Sequence, residues 1–281
     1  IPKIFNLLDE VGMTTSQTGM DNVRNIMGCP VSGLNPKEKV DAYSLVKKLN
    51  EHIVGNPEFS NLPRKFNITL SGCPDDCVHA ETQDLALVPA VQEKGGKSIY
   101  GFNVLAGGKL GSGGYRIATS LDVFLCPEEV VEVCSALIIL YRDHGSRDVR
   151  SKNRLAFLIE DWGEEKFRLA LEERVGRPLI PAGVDLRGNE KSEHIGAYRQ
   201  KQTSMNYVGL KIPVGRIQAD KLKELARLAE KYGNEEIRFS HSNSLVIPNV
   251  SDQKLGDMLE EAVVKEFSYH PSSVLRGLVS C

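Results

Sequence analysis

Two stretches bring together residue types that can do chemistry. Residues 71–81, SGCPDDCVHAE, set Cys73 and Cys77 four apart behind a Gly-Cys-Pro turn, a spacing compatible with a metal site. Just upstream, NLPRKFN supplies Arg64, Lys65 and Asn67. Side chains alternate along an extended run, so Lys65 and Asn67 point to one face and Arg64 to the other. A small anion could then meet an ammonium and an amide together. Arg24 lies in QTGMDNVRN, and Arg147, Arg150, Lys152 and Arg154 crowd into RDVRSKNR. Arginine forks suit ligands rich in carboxylates or phosphates. Spacing alone nevertheless favours ordinary solvated surface for both basic stretches. The Gly-rich GGKLGSGG at 107–114 matches neither a P-loop nor a dinucleotide fingerprint.

The elements that must position these groups can be read in outline. A chain of 281 residues with 41% apolar content can bury a full core as one large or two ordinary domains. A formal charge of −2 gives no global basic field, which argues against nucleic acid or an anionic membrane as partner. No run of 18 apolar residues and no signal peptide occurs, so neither a membrane span nor secretion is expected and the cytoplasm is the default. Six cysteines are too sparse for a disulfide scaffold. The chain begins with Ile1 rather than Met and reads as a fragment.

A helix opens the chain, with Ile4, Leu7, Leu8 and Val11 on one stripe that stops near Gly12. A second spans Pro127 to Tyr141, acidic at its start and basic at its end, with Cys134 inside it. Between them the chain reads as short β-like runs (FNITL, LALVPA, GFNVLAG) separated by Gly-rich turns, a mixed sheet with long loops. RLAFLIEDWGEEKFRLALEERVG continues as helix, and residues 177–204 read as a polar linker. From residue 206 to 263 the order is β-α-β-β-α, a ferredoxin-like motif lacking its last strand. A weak repeat aligns IPKIFNLLDEVG with SDQKLGDMLEEA, and thereby Cys29 of NIMGC with Cys281 of GLVSC.

The segments TGMDNVRNIMGCP, NLPRKFNI, VHAE, GFNVLAGG, NYVGLKIPVGRIQADKLKELARLAEKYG and LRGLVSC, in this order over nearly the whole chain, resemble the assimilatory ferredoxin-dependent nitrite reductases of the siroheme nitrite and sulfite reductase family. The resemblance implies an α+β fold: a duplicated unit of ferredoxin-like half-domain plus siroheme/[4Fe-4S]-type mixed α/β domain, truncated at both ends. The implied segments are 1–17, the end of the first half-domain; 18–160, the first siroheme-type domain; 161–202, a helical segment and linker; 203–265, the second half-domain; and 266–281, the start of the second siroheme/[4Fe-4S] domain.

It further implies six-electron reduction of nitrite to ammonia by a monomeric enzyme with siroheme, a [4Fe-4S] cluster and ferredoxin as donor. Arg24, Lys65 and Asn67 match the family's substrate-facing positions, its first arginine lying upstream of Ile1. Sulfite reductases of the family carry lysine where this chain has Asn67, and a dianion gains more from a second cation than nitrite does. Asn67 thus favours nitrite. Sulfite reduction is one alternative, and a non-catalytic tetrapyrrole-binding module is another. Arg64, Arg150, Lys152 and Arg154 are the expected partners of siroheme carboxylates, with His79 a further contact or a satisfied buried histidine. Cys281 matches the first cluster ligand, and most of the remaining cluster motif lies beyond it, so the fragment is not expected to be active alone. In the first copy Cys29, Asn35, Cys73 and Cys77 occupy the corresponding positions and read as a relic of duplication. Cys126 and Cys134 read as core, and the remaining histidines, His52, His144, His194, His241 and His270, show no shared spacing.

Overall fold

The computed structural model describes residues 1–111, 113–189 and 191–278; Cys281 lies outside the described residues. The opening helix is α1 (Pro2–Glu10), as the apolar stripe predicts. The first sheet is mixed: β1 (Val23–Gly28), β2 (Phe66–Leu70) and β3 (Leu85–Lys94) run parallel, and β4 (Lys97–Ala106) and β5 (Thr119–Leu125) add antiparallel strands. The short β6 (Val184–Asp185) pairs with β3.

Strand alternation divides the core. Phe66, Ile68, Leu70, Leu85, Leu87, Phe102 and Val104 meet one helical layer. That layer is built from α2 (Ala42–Ile53), α3 (Val130–His144), α4 (Leu155–Trp162) and α5 (Glu164–Val175). Ala86, Val88 and Leu105 face the opposite way, into a smaller cluster with Cys29, Cys73 and Cys77. Because β3 is buried on both faces, LALVPA reads as an unbroken apolar run. The first core extends through Phe167, Leu171 and Leu179. Cys134 is buried in α3, as expected, while Cys126 is half-buried.

One helix departs from the sequence reading. α2 falls where only strands and turns are expected, yet its local logic is ordinary. Asp41 accepts from the backbone N–H groups of Tyr43 and Ser44, capping two orphan donors. Ala42, Leu45, Leu49 and Ile53 are buried along one face.

The second unit is a four-stranded sheet in the order β7-β8-β10-β9. β7 is Gly196–Arg199 and β8 is Met205–Lys211; α6 (Ala219–Tyr232) precedes β9 (Arg238–Phe239) and β10 (Ser244–Ser251). α7 (Asp252–Glu260) and α8 (Ala262–Phe267) follow, and α9 (Ser273–Gly277) is the last described element. Leu225, Ala229 and Tyr232 of α6 pack on Val208, Leu210, Leu245 and Ile247. The expected motif lacks a last strand, but its place beside β8 is taken by β7, running antiparallel. That strand comes from the stretch read as linker. Four residues, GAYR, are too few to show a period, and only the partner strand makes them one.

The two units are joined by specific bonds. Arg238 donates to the carbonyls of Pro30 (3.1 Å) and Ser32 (2.7 Å). Lys201 gives its backbone N–H to Leu34 and its ammonium to the buried Glu38 (3.1 Å). Tyr207 and Val246 of the second sheet complete the small cluster around the cysteines.

Candidate functional site

The expected substrate-facing residues come from the two parallel strands β1 and β2. Val23 lies opposite Phe66 and Asn25 opposite Asn67, with the register breaking at Arg24 between them. Such an irregularity re-aims a side chain, and Arg24 fixes its own by donating Nε to the Met20 carbonyl at 2.8 Å. Lys65 immediately precedes β2, on the face that Asn67 shares. Its ammonium is held below the ordinary lysine range, first by partial burial and then by the positive charges of Arg154, Arg24 and Arg64, with Asp84 opposing. Arg24, Arg64, Lys65 and Arg154 therefore form one electrostatic group, and Asn67 joins it by donating its backbone N–H to Asp84 at 2.9 Å.

The arginines expected to hold carboxylates divide in two. Arg64 and Arg150, far apart in sequence, converge on the single carboxylate of Asp21, at 3.5 and 3.1 Å. Arg154 behaves differently. It forms a bidentate pair with the fully buried Asp84 and is itself 5% exposed. That fork is already occupied, so Arg154 acts as a buried counter-ion that also lends its field to Lys65. Lys152 is exposed in the short turn Arg150–Lys152. Lys109, from the Gly-rich loop, is buried and donates to the carbonyls of Gly113 and Gly114.

His79 makes its contacts elsewhere. It takes left-handed backbone angles (φ 48°) and its ring packs edge-on against His241, centroids 4.8 Å apart. Together with Cys77, Lys191, His194 and Tyr198 it lines a cavity of about 800 Å³. Burial, reinforced by Lys191, lowers the pKa of His79. His241 is pushed down to about 4, first by burial and then by His79, His194 and Lys191.

Beside this cavity the structure assembles a group that spacing does not reveal. The ligand atoms of Cys29, Cys77 and His194 all lie within 4.8 Å of one another, and all three residues are buried. Cys73 lies in the same buried cluster as Cys29 and Cys77. His194 is 165 residues from Cys29, and no motif rule reaches across that interval.

Residues 19–179 match the family model described as the nitrite and sulphite reductase 4Fe-4S domain. The chain belongs to the nitrite and sulphite reductase family. Residues 198–263 match that family's ferredoxin-like half domain, so both expected domain types are present. The chain is 43% identical over its whole length to a ferredoxin–nitrite reductase of Leptolyngbya laminosa, covering 55% of that protein. It is 38% identical to the chloroplastic ferredoxin–nitrite reductase of Spinacia oleracea, covering 48% of it. Among solved structures, the NirA protein of Mycobacterium tuberculosis superposes with a TM-score of 0.92 at 32% identity, over all of this chain and 50% of that one. The chain thus spans about half the length of the family relatives it matches. Among its described residues no helix is long and apolar enough to cross a membrane.

Proposed function

We infer that this chain supplies the anion-binding half of a ferredoxin-dependent nitrite reductase, which reduces nitrite to ammonia. The observation that carries the reading is the β1–β2 pairing, in which Asn67 lies opposite Asn25, next to Arg24, and Lys65 just before β2 feels the charges of Arg154, Arg24 and Arg64. Sulfite reduction is less favoured, because an amide at 67 adds no second cation for a dianion.

The residues fit the macrocycle that such enzymes carry. A ligand bearing many carboxylates needs arginines able to converge on a carboxylate, and Arg64 and Arg150 do so at Asp21. Arg64, Arg150 and Lys152 would hold siroheme from this side. When bound, siroheme and a [4Fe-4S] cluster supply the redox chemistry and the electrons. Arg24 and Lys65 bind and orient the nitrite anion through charge-assisted hydrogen bonds. Asn67 offers an amide N–H without extra charge. Lys65 is the proton donor of the set, since arginine stays protonated in proteins while lysine readily shifts its pKa. The buried Asp84–Arg154 pair holds the Asn67 backbone in place.

The test is steady-state turnover of the intact protein with reduced ferredoxin, nitrite against sulfite. Lys65→Met should lower nitrite kcat by roughly 100-fold, the usual range for losing a positioned acid, with the cofactor spectrum unchanged. Full nitrite turnover in Lys65→Met, or a preference of the unaltered protein for sulfite, would refute the assignment.

A further inference from the structure

We propose that Cys29, Cys73, Cys77 and His194 form a tetrahedral site for one thiophilic divalent ion, zinc by its ligand set, that staples the two units together. The inference stands apart from the nitrite site, and it assigns a use to cysteines that otherwise read as a relic of duplication.

The donor set and its spacing carry the proposal. Three cysteines and one histidine are a recurrent structural zinc shell. Metal–sulfur bonds of about 2.3 Å and metal–nitrogen bonds of about 2.0–2.1 Å place S and N roughly 3.6 Å apart around a tetrahedral ion. Here Cys29 Sγ and His194 Nε2 are 3.4 Å apart. Cys77 Sγ closes the triangle within 4.8 Å, and Cys73, in the same buried cluster, would supply the fourth ligand. All four are 4% exposed or less, and none of the three cysteines is in a disulfide. The ligand atoms of Cys29, Cys77 and His194, all within 4.8 Å of one another, are close enough to surround a single ion. A four-iron cluster takes one thiolate at each iron and needs a wider shell with a fourth cysteine, where Asn35 stands with its amide turned to Asp75 at 2.9 Å.

The surroundings orient the imidazole. His194 Nδ1 lies 3.3 Å from Ser192 Oγ and 3.4 Å from Tyr207 Oη, leaving Nε2 toward the thiols, the arrangement metal-bound histidines use. His194 itself takes φ +56°. Its peptide rests on Gly209 of β8, where a Cβ would lie 1.8 Å from the His194 carbonyl oxygen, so only glycine allows that seat. The ligands come from the ends of β1 and β2 and from the approach to β7. The ion would therefore cross-link the first sheet to the second, in a reaction that replaces three thiol protons with one metal ion.

The experiment is elemental analysis and zinc K-edge absorption on the intact protein, produced with zinc and iron both supplied. The expected result is about one zinc per chain, with three sulfurs at about 2.3 Å and one nitrogen at about 2.0 Å. Cys29→Ser and His194→Ala should each lower bound zinc at least tenfold, while Cys126→Ser keeps it. Should the two ligand variants fail to fold, the shell measured on the unaltered protein decides alone. Substoichiometric zinc, a shell without three sulfurs and a nitrogen, undiminished zinc in folded Cys29→Ser, or a disulfide among the three thiols would each overturn the proposal.

Discussion

Arg154 grips Asp84 with two nitrogens, Nε to Oδ1 at 2.8 Å and a terminal nitrogen to Oδ2 at 2.7 Å, and the carboxylate is wholly buried. The same carboxylate accepts the Asn67 backbone N–H. One ion pair thus ties the start of α4 to the strand that carries the anion-facing residues.

Breaking that pair from one side should be costly. Arg154→Ala leaves a buried carboxylate uncompensated, and we expect a loss of about 3–5 kcal/mol in urea unfolding. Replacing both partners together, Arg154→Met with Asp84→Leu, should cost less than the single change. A single-variant loss below about 1 kcal/mol would mean that water reaches Asp84.

Asn67→Lys adds a cation where the anion is expected to sit. In the intact enzyme the ratio of kcat/KM for sulfite to that for nitrite should rise about tenfold, equivalent to roughly 1.4 kcal/mol of differential stabilisation. An unchanged ratio would show that residue 67 does not read the charge of the substrate.

Lys65 should leave a mark on the alkaline side. Burial and its arginine neighbours hold its pKa below the ordinary 10.5, so it loses its proton earlier as pH rises. The KM for nitrite is expected to climb below pH 10.5, and Lys65→Arg, which stays charged, should remove that climb. In stability the sign is opposite: the folded state resists this charge, so stability gains as pH rises from the depressed value to 10.5.

His241 should govern part of the acid response. Its folded pKa of about 4 lies below the ordinary 6.5, so the unfolded chain takes up the proton first. Stability from this group is full above pH 6.5 and is lost as pH falls toward 4. After discounting for its partial exposure the loss is about 2 kcal/mol. Urea unfolding of the protein and of His241→Gln across that window measures it, and parallel pH curves for the two would contradict it.

What was legible in the sequence was local. Lys65 and Asn67 share a face because strands alternate, and α3 and α6 announce themselves by apolar stripes that stop at Gly145 and Gly233. The β-α-β-β-α order of the second unit follows from the same signals. The α2 helix was obscured because Leu45, Leu49 and Ile53 are diluted by KKLNEH, and the cap at Asp41 was the cue to follow. Charge was visible but its destination was not: Arg154 finds its counter-ion 70 residues away. His194 is the extreme case, since its place beside the thiols depends on how β7 and β8 lie against the first sheet.

The strand β7 has a consequence for association. Without it, β8 would offer the open backbone of Asn206, Tyr207, Val208 and Gly209 to any passing chain, the kind of edge that recruits intermolecular pairing. Gly196–Arg199 acts as a built-in guard against aggregation. A half-domain cut at residue 203 should precipitate where one begun before Ile195 stays dispersed.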